Sequence, residues 1–161
     1  MGVLAIYIDY HSATTAVLNA AIQSLTASKE MAENNLMKTI FESVLTILIL
    51  VRDEMIEEDS FVELAKLCVK ACHVLQAVTE GRDFDDLSGH IRQQIEDLER
   101  TIRHIESAVR ERADCVYDLQ ECHPGCTREC IIVWREELSE MLRVFEVRGC
   151  QLTVPIASQP P

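Results

Sequence analysis

The chain has 161 residues, 48% hydrophobic and 26% charged, with only five Gly and four Pro, a composition that excludes a disordered chain and predicts one folded domain with a sizeable core. Fifteen Lys plus Arg against 27 Asp plus Glu give a formal charge of −12, which repels phosphate backbones and anionic headgroups, so no nucleic-acid partner is expected. Seven cysteines, an odd number, without a secretory signal pattern point to a reducing compartment, so free thiols and a cytoplasmic location are expected.

Residues 1–11 are expected to form an apolar arm, as a short strand or lying on the helices behind it. The stretch Met1 to Tyr10 alternates weakly, carries no basic n-region and meets Asp9 too early for a signal h-region. From Ser12, a fair N-cap, a short helix near 12–27 places Val17, Ala21 and Leu25 beside Leu18 and Ile22 on adjoining rows. Asn34-Asn35 is the best place for a break.

A core helix near 36–58 carries Leu36, Ile40, Phe41, Val44, Leu48 and Val51, with Ile47, Ile49 and Leu50 filling the rest of its circumference. A helix apolar nearly all round is buried on several sides, so this one is predicted to be central. Its aliphatic patch is far short of the roughly 20 residues that span a bilayer. Ser60 with Glu63 then forms a capping-box pattern opening a helix near 61–80. Leu64, Leu67, Cys68, Ala71, Leu75 and Val78 share one face of it, and Gly81 stands at C′.

After the loop 81–86, where an Asp is available as a cap, comes the most regular stretch, the helix near 87–113. Leu87, Ile91, Ile95, Leu98, Ile102, Ile105 and Val109 step by three or four residues along one stripe. The far face sets Glu96, Glu99 and Glu106 each four residues before Arg100, Arg103 and Arg110, a solvated surface of ion pairs. Residues 113–125 lose the period and end at the breaker His123-Pro124-Gly125. A last helix near 127–147 carries Ile131, Trp134, Leu138, Met141, Leu142 and Phe145 before Gly149, and residues 149–161 form a tail or linker. The expected fold is all-α: an antiparallel up-and-down four-helix bundle with an additional short N-terminal helix, the bundle domain covering residues 12–148. Leu48, Leu75, Leu98, Ile102 and Phe145 are expected near its centre.

Cys115, Cys122, His123, Cys126 and Cys130 bring soft ligands together within sixteen residues and are the zinc candidates. The spacing is imperfect, since His-Pro-Gly separates Cys122 from Cys126, and inert loop cysteines fit it better than zinc or a redox sensor. No bound metal is expected. Cys68 and Cys72, one turn apart, read as small core hydrophobes, and His73 and His104 as ordinary surface histidines. No nucleophile elbow, phosphate-cradling loop, HExxH site or complete EF-hand loop occurs, so neither an enzyme nor a cofactor is expected.

Three segments, LMKTIFESVLTILILVRDEMIEEDSFVELAKLCVKACHVLQAV, HIRQQIEDLERTIRHIESAV and ECIIVWREELSEMLRVFEV, resemble the N-terminal helical bundle of mixed-lineage-kinase-domain-like proteins, closest to the fungal versions. The four-helix N-terminal part of the adaptor protein Cbl is in the same superfamily. The likeness covers residues 12–148 and is carried by Ile95 to Glu106 and by Leu138 to Val147. The loop before the last helix departs from the family, being Cys-rich where the family is often basic. The resemblance implies signalling by self-association, by recruitment of a protein partner or, in death-inducing members, by membrane permeabilisation. The expected function is a non-catalytic adaptor domain in receptor-linked or cell-death signalling, with a protein partner or its own copies. A membrane-active bundle ranks second, because each Lys or Arg near an anionic surface contributes about 1 kcal/mol and this chain is strongly acidic.

Overall fold

The computed structural model describes the backbone of residues 2–117 and 124–152 and the side chains of residues 10–114 and 129–146. Five α-helices follow one another: α1 (Gly2–Met31), α2 (Asn35–Glu54), α3 (Asp59–Thr79), α4 (Gly89–Tyr117) and α5 (Pro124–Leu152), with a 3-10 turn at Phe84–Asp86 before α4. Among the described residues there is no strand. None of the described helices is long and apolar enough to cross a membrane.

α2 is central, although it is not covered all round: Glu42 and Ile49 are exposed. It packs against α1, α3 and α4, while α5 packs against α3 and α4. Ile40, Phe41, Val44, Ile47, Leu48 and Val51 are all buried, along one side that takes up about a third of its circumference. The stripe of α4 is also realised, for Ile91, Ile95, Leu98, Ile102, Ile105 and Val109 lie in one core with Leu87, which precedes the helix. Leu48, Leu75, Leu98, Ile102 and Phe145 are all buried in that core. At about 1.5–3 kcal/mol for each buried aliphatic side chain, this seam is a main source of cohesion.

The N-terminal helix is the clearest departure from the sequence reading. α1 is 30 residues long rather than a short helix over 12–27, and residues 2–11 continue it in place of a strand. Ser12 is therefore interior and caps nothing. Gly2 to Asp9 contain no Pro, so nothing in them stops a helix that Ala13 to Ala27 already favour. Thr14, Leu18 and Leu25 form its buried line, and Val17 is turned outward. Its polar ties to α2 run in opposite senses along the two chains: Lys29 Nζ meets Glu42 at 3.0 Å, and Arg52 Nη1 donates to Asn19 at 3.0 Å. Tyr10 Oη donates to Asp59 beyond the end of α2.

The breaks follow local chemistry. Asn34 caps α2, its Oδ1 accepting from Leu36 N at 2.8 Å and Met37 N at 3.2 Å. α2 ends at Glu54, earlier than the expected 58, where Met55 turns out of helical geometry yet stays buried. The Ser60–Glu63 capping box does not form, because α3 already begins at Asp59 and Glu63 pairs with Lys66. Glu58 occupies the cap position, but its carboxylate accepts from Arg112 Nη2 of α4 at 3.0 Å, so it ties two helices instead of closing one. Gly81 takes a φ of 71° and ends α3 as its position predicts. Ser88, rather than an Asp, caps α4, its Oγ accepting from Ile91 N. Pro124 opens α5 at the first helical position, where a missing N–H costs nothing, and the helix runs past Gly149 to Leu152.

Truncating Leu98 to Ala should cost about 2–5 kcal/mol in urea unfolding, the range for a core Leu. Asn34→Ala should cost about 1 kcal/mol through the lost cap, and an unchanged midpoint for either would contradict the packing described.

Candidate functional site

A broad concavity follows from the way α2 is covered. With α1 on one side and α4 on another, one strip of α2 stays open between them, forming the floor of a groove of about 680 Å³. The strip is Thr39, Glu42, Thr46 and Ile49, at the three- and four-residue spacing of one helix face, with Ser43 and Leu45 beside it. α4 supplies the opposite wall through Arg103, Glu106, Ser107 and Arg110, and α1 contributes Lys29 near its C-terminus.

Its polar groups are largely satisfied from within. Thr39 Oγ1 donates to Asn35 O and Thr46 Oγ1 to Glu42 O, each hydroxyl turned back on its own helix. Lys29 neutralises Glu42 from across the helix pair. On α4, Arg103 pairs with Glu99, and Arg110 donates to Glu106 Oε1 through Nε at 3.0 Å and Nη2 at 2.9 Å. Two of the three expected four-residue pairs thus form. Arg100 chooses Asp97, three residues back, in place of Glu96.

In both formed pairs the cation stands outward. The side chains of Arg103 and Arg110 are 60% and 56% exposed, whereas Glu99 and Glu106 are 17% and 19% exposed. The α4 wall therefore presents guanidinium to solvent on a chain of net charge −12. The groove lining contains no histidine, cysteine or aspartate. What it offers chemically is charge and surface on which another molecule can lie. A smaller cleft of about 170 Å³ lies between α4 and α5, against Gln94, Met141 and Phe145. Gln94 Oε1 is buried there without a hydrogen-bond partner among the described residues.

The sequence-derived candidates fall elsewhere. The side chains of Cys115, Cys122, His123 and Cys126 lie outside the described residues, and Cys130 sits half-buried on α5. Among the described residues no group of His, Cys, Asp and Glu is arranged to hold a metal. His73 and His104 are exposed, on α3 and α4. Cys68 and Cys72 are core residues of α3. Burial pushes the Cys68 thiol up to about 12, and burial, then the neighbouring Cys68, raises Cys72 as well. Sequence reasoning missed the groove because its residues come from three helices, most of them look like solvated surface alone, and Ile49 reads as part of a buried helix. The only signal was the seven-residue interval from Arg103 to Arg110, which keeps both on one face.

No protein-family model, curated protein or solved structure matches the chain.

The thiols of Cys68 and Cys72 should resist alkylation in the folded protein at pH 8 and react on unfolding, as peptide mapping of labelled protein would show. Their folded-state pKa values are raised, so the stability they contribute is intact below the unfolded value of about 8.5 and is lost as pH rises toward the folded one. Unfolding free energy should fall above about pH 9, by at most about 1.4 kcal/mol per pH unit per thiol, and Cys68→Ala should flatten that slope.

Proposed function

We propose that the chain is a non-catalytic helical interaction domain acting in the cytoplasm, in receptor-linked or cell-death signalling, through self-association or recruitment of a protein partner. The reading takes α2 to α5 as an antiparallel up-and-down four-helix bundle with α1 laid on α2. What supports it is that α2, α3, α5 and α4 close a ring of contacts and that the short loop between α2 and α3 makes those two neighbours antiparallel, although consecutive α3 and α4 stand across the ring from each other. The likeness to the bundle of mixed-lineage-kinase-domain-like proteins points the same way.

The observation that carries the functional reading is the groove over α2. It is open, as long as several helical turns, and bounded by two helices, the form in which an amphipathic helix of another protein is taken up. Its walls hold cations that are already oriented by buried-side carboxylates, so binding there need not order them anew. Apolar Leu45 and Ile49 supply contact area on the floor.

The test compares wild type with the groove variant Arg103→Glu/Arg110→Glu in affinity capture from cell extract and in dye leakage from anionic vesicles. Wild type should retain a protein partner or its own copies, the variant should lose it, and neither should cause leakage. Leakage by wild type would replace the adaptor reading with a membrane-active one. Equal capture by both proteins would remove the groove from the function.

A further inference from the structure

The outward face of α5 carries a feature that the fold does not use. Ile131, Leu138, Leu142 and Phe145 turn into the core, which leaves Glu129, Ile132, Val133 and Glu136 on the opposite side. Ile132 and Val133 are 52% and 57% exposed, although both are large aliphatics. Glu129 and Glu136 are exposed and make no ion pair among the described residues, unlike Glu140, which Arg143 holds at 2.7 Å. The result is an acidic ridge with apolar shoulders.

The groove is its complement. Arg103 and Arg110 are seven residues apart on α4, and Glu129 and Glu136 are seven apart on α5. At about 1.5 Å per residue both intervals come to about 10.5 Å, so one helix can set both carboxylates against both guanidinium groups in a single register. With the carboxylates on the α4 wall, one apolar shoulder of the ridge turns toward the floor, whose apolar residues are Leu45 and Ile49. The one exposed carboxylate of the floor, Glu42, is already held by Lys29 at 3.0 Å.

We infer that the α5 ridge of one copy of this chain seats in the α2–α4 groove of a second copy, head to tail. The inference rests on the interaction reading above and names the occupant of its groove. The two surfaces lie on different faces of the same protein, so the contact is heterologous: each copy keeps a free groove and a free ridge, and assembly grows into a ring or a filament instead of stopping at a pair.

The test is analytical ultracentrifugation of the full chain with the groove variant Arg103→Glu/Arg110→Glu and a ridge variant, Ile132→Asp/Val133→Asp. All the substituted side chains are exposed, and far-UV circular dichroism checks that each variant keeps its helix content. Wild type should form species that grow with concentration, and each variant alone should associate roughly tenfold or more weakly. Mixed together, the variants should give a one-to-one complex that grows no further, because one supplies the only intact ridge and the other the only intact groove. Exchanging the charges in one chain (Arg103→Glu, Arg110→Glu, Glu129→Arg, Glu136→Arg) should restore growth. A wild-type monomer at every concentration, or a closed dimer that neither variant weakens, would overturn the head-to-tail contact. Loss of captured partner by the groove variant would still uphold the wider reading in that case, whereas unchanged capture would remove both.

Discussion

The constraint on which the rest depends is the broad apolar side of α2. Ile40, Phe41, Val44, Ile47, Leu48 and Val51 make one broad side of it apolar, half-buried Leu36, Leu45 and Leu50 flank that side, and α1, α3 and α4 pack against it. α4 does so with its aliphatic stripe, α3 with Leu64, Cys68, Ala71 and Leu75, and α1 with Leu18 and Leu25. Three helices leave one strip of the circumference uncovered. That strip is the one on which the sequence places Thr39, Glu42 and Thr46 instead of aliphatic residues, so the groove is the remainder of the packing problem and not an addition to it. Ile49 is the exception, an exposed aliphatic residue in a polar row.

How much of this was legible depends on whether the deciding forces are local. The core faces of α2, α4 and α5 could be read because burial imposes its period directly on the order of residues. Leu67 of α3 and Val17 of α1 show the limit. Each keeps the helical period, yet Leu67 is only half-buried and Val17 faces outward, because the number and placement of neighbours decide which part of an apolar face is covered. The start of α1 was misread for a related reason. Val3 to Ile8 are apolar on every face, so neither a strand nor a helical period stands out, and the backbone follows the helix already established behind it.

Caps and ion pairs were read less well, since several partners of similar energy compete within a turn. Glu58 is at the cap of α3 but bonds Arg112, fifty-four positions away, a contact that no local pattern announces. Asp97 takes Arg100 from Glu96 because a residue three back is as near on a helix as one four back. Differences of a few tenths of a kcal/mol settle such choices, while the aliphatic core is settled by far larger ones. Errors in the former therefore left the helix order intact.

The electrostatics of the chain follow from the same separation of scales. A net charge of −12 sets the long-range field and makes any two copies repel at a distance, but at physiological ionic strength that field decays over about 8 Å. Closer than that, what an approaching surface meets is the arrangement of individual side chains. On α4 the carboxylates of Glu99 and Glu106 are drawn in beneath the guanidinium groups that cover them, so an acidic protein carries a cationic wall without any excess of cations. On α5, Glu129 and Glu136 are exposed and make no ion pair among the described residues. Composition weighs against an anionic partner for the molecule as a whole, whereas at the groove it is depth that sets the sign of the surface. A carboxylate-bearing helix is therefore the occupant that the proposed contact selects, and the acidic remainder of the surface opposes any docking that misses the wall.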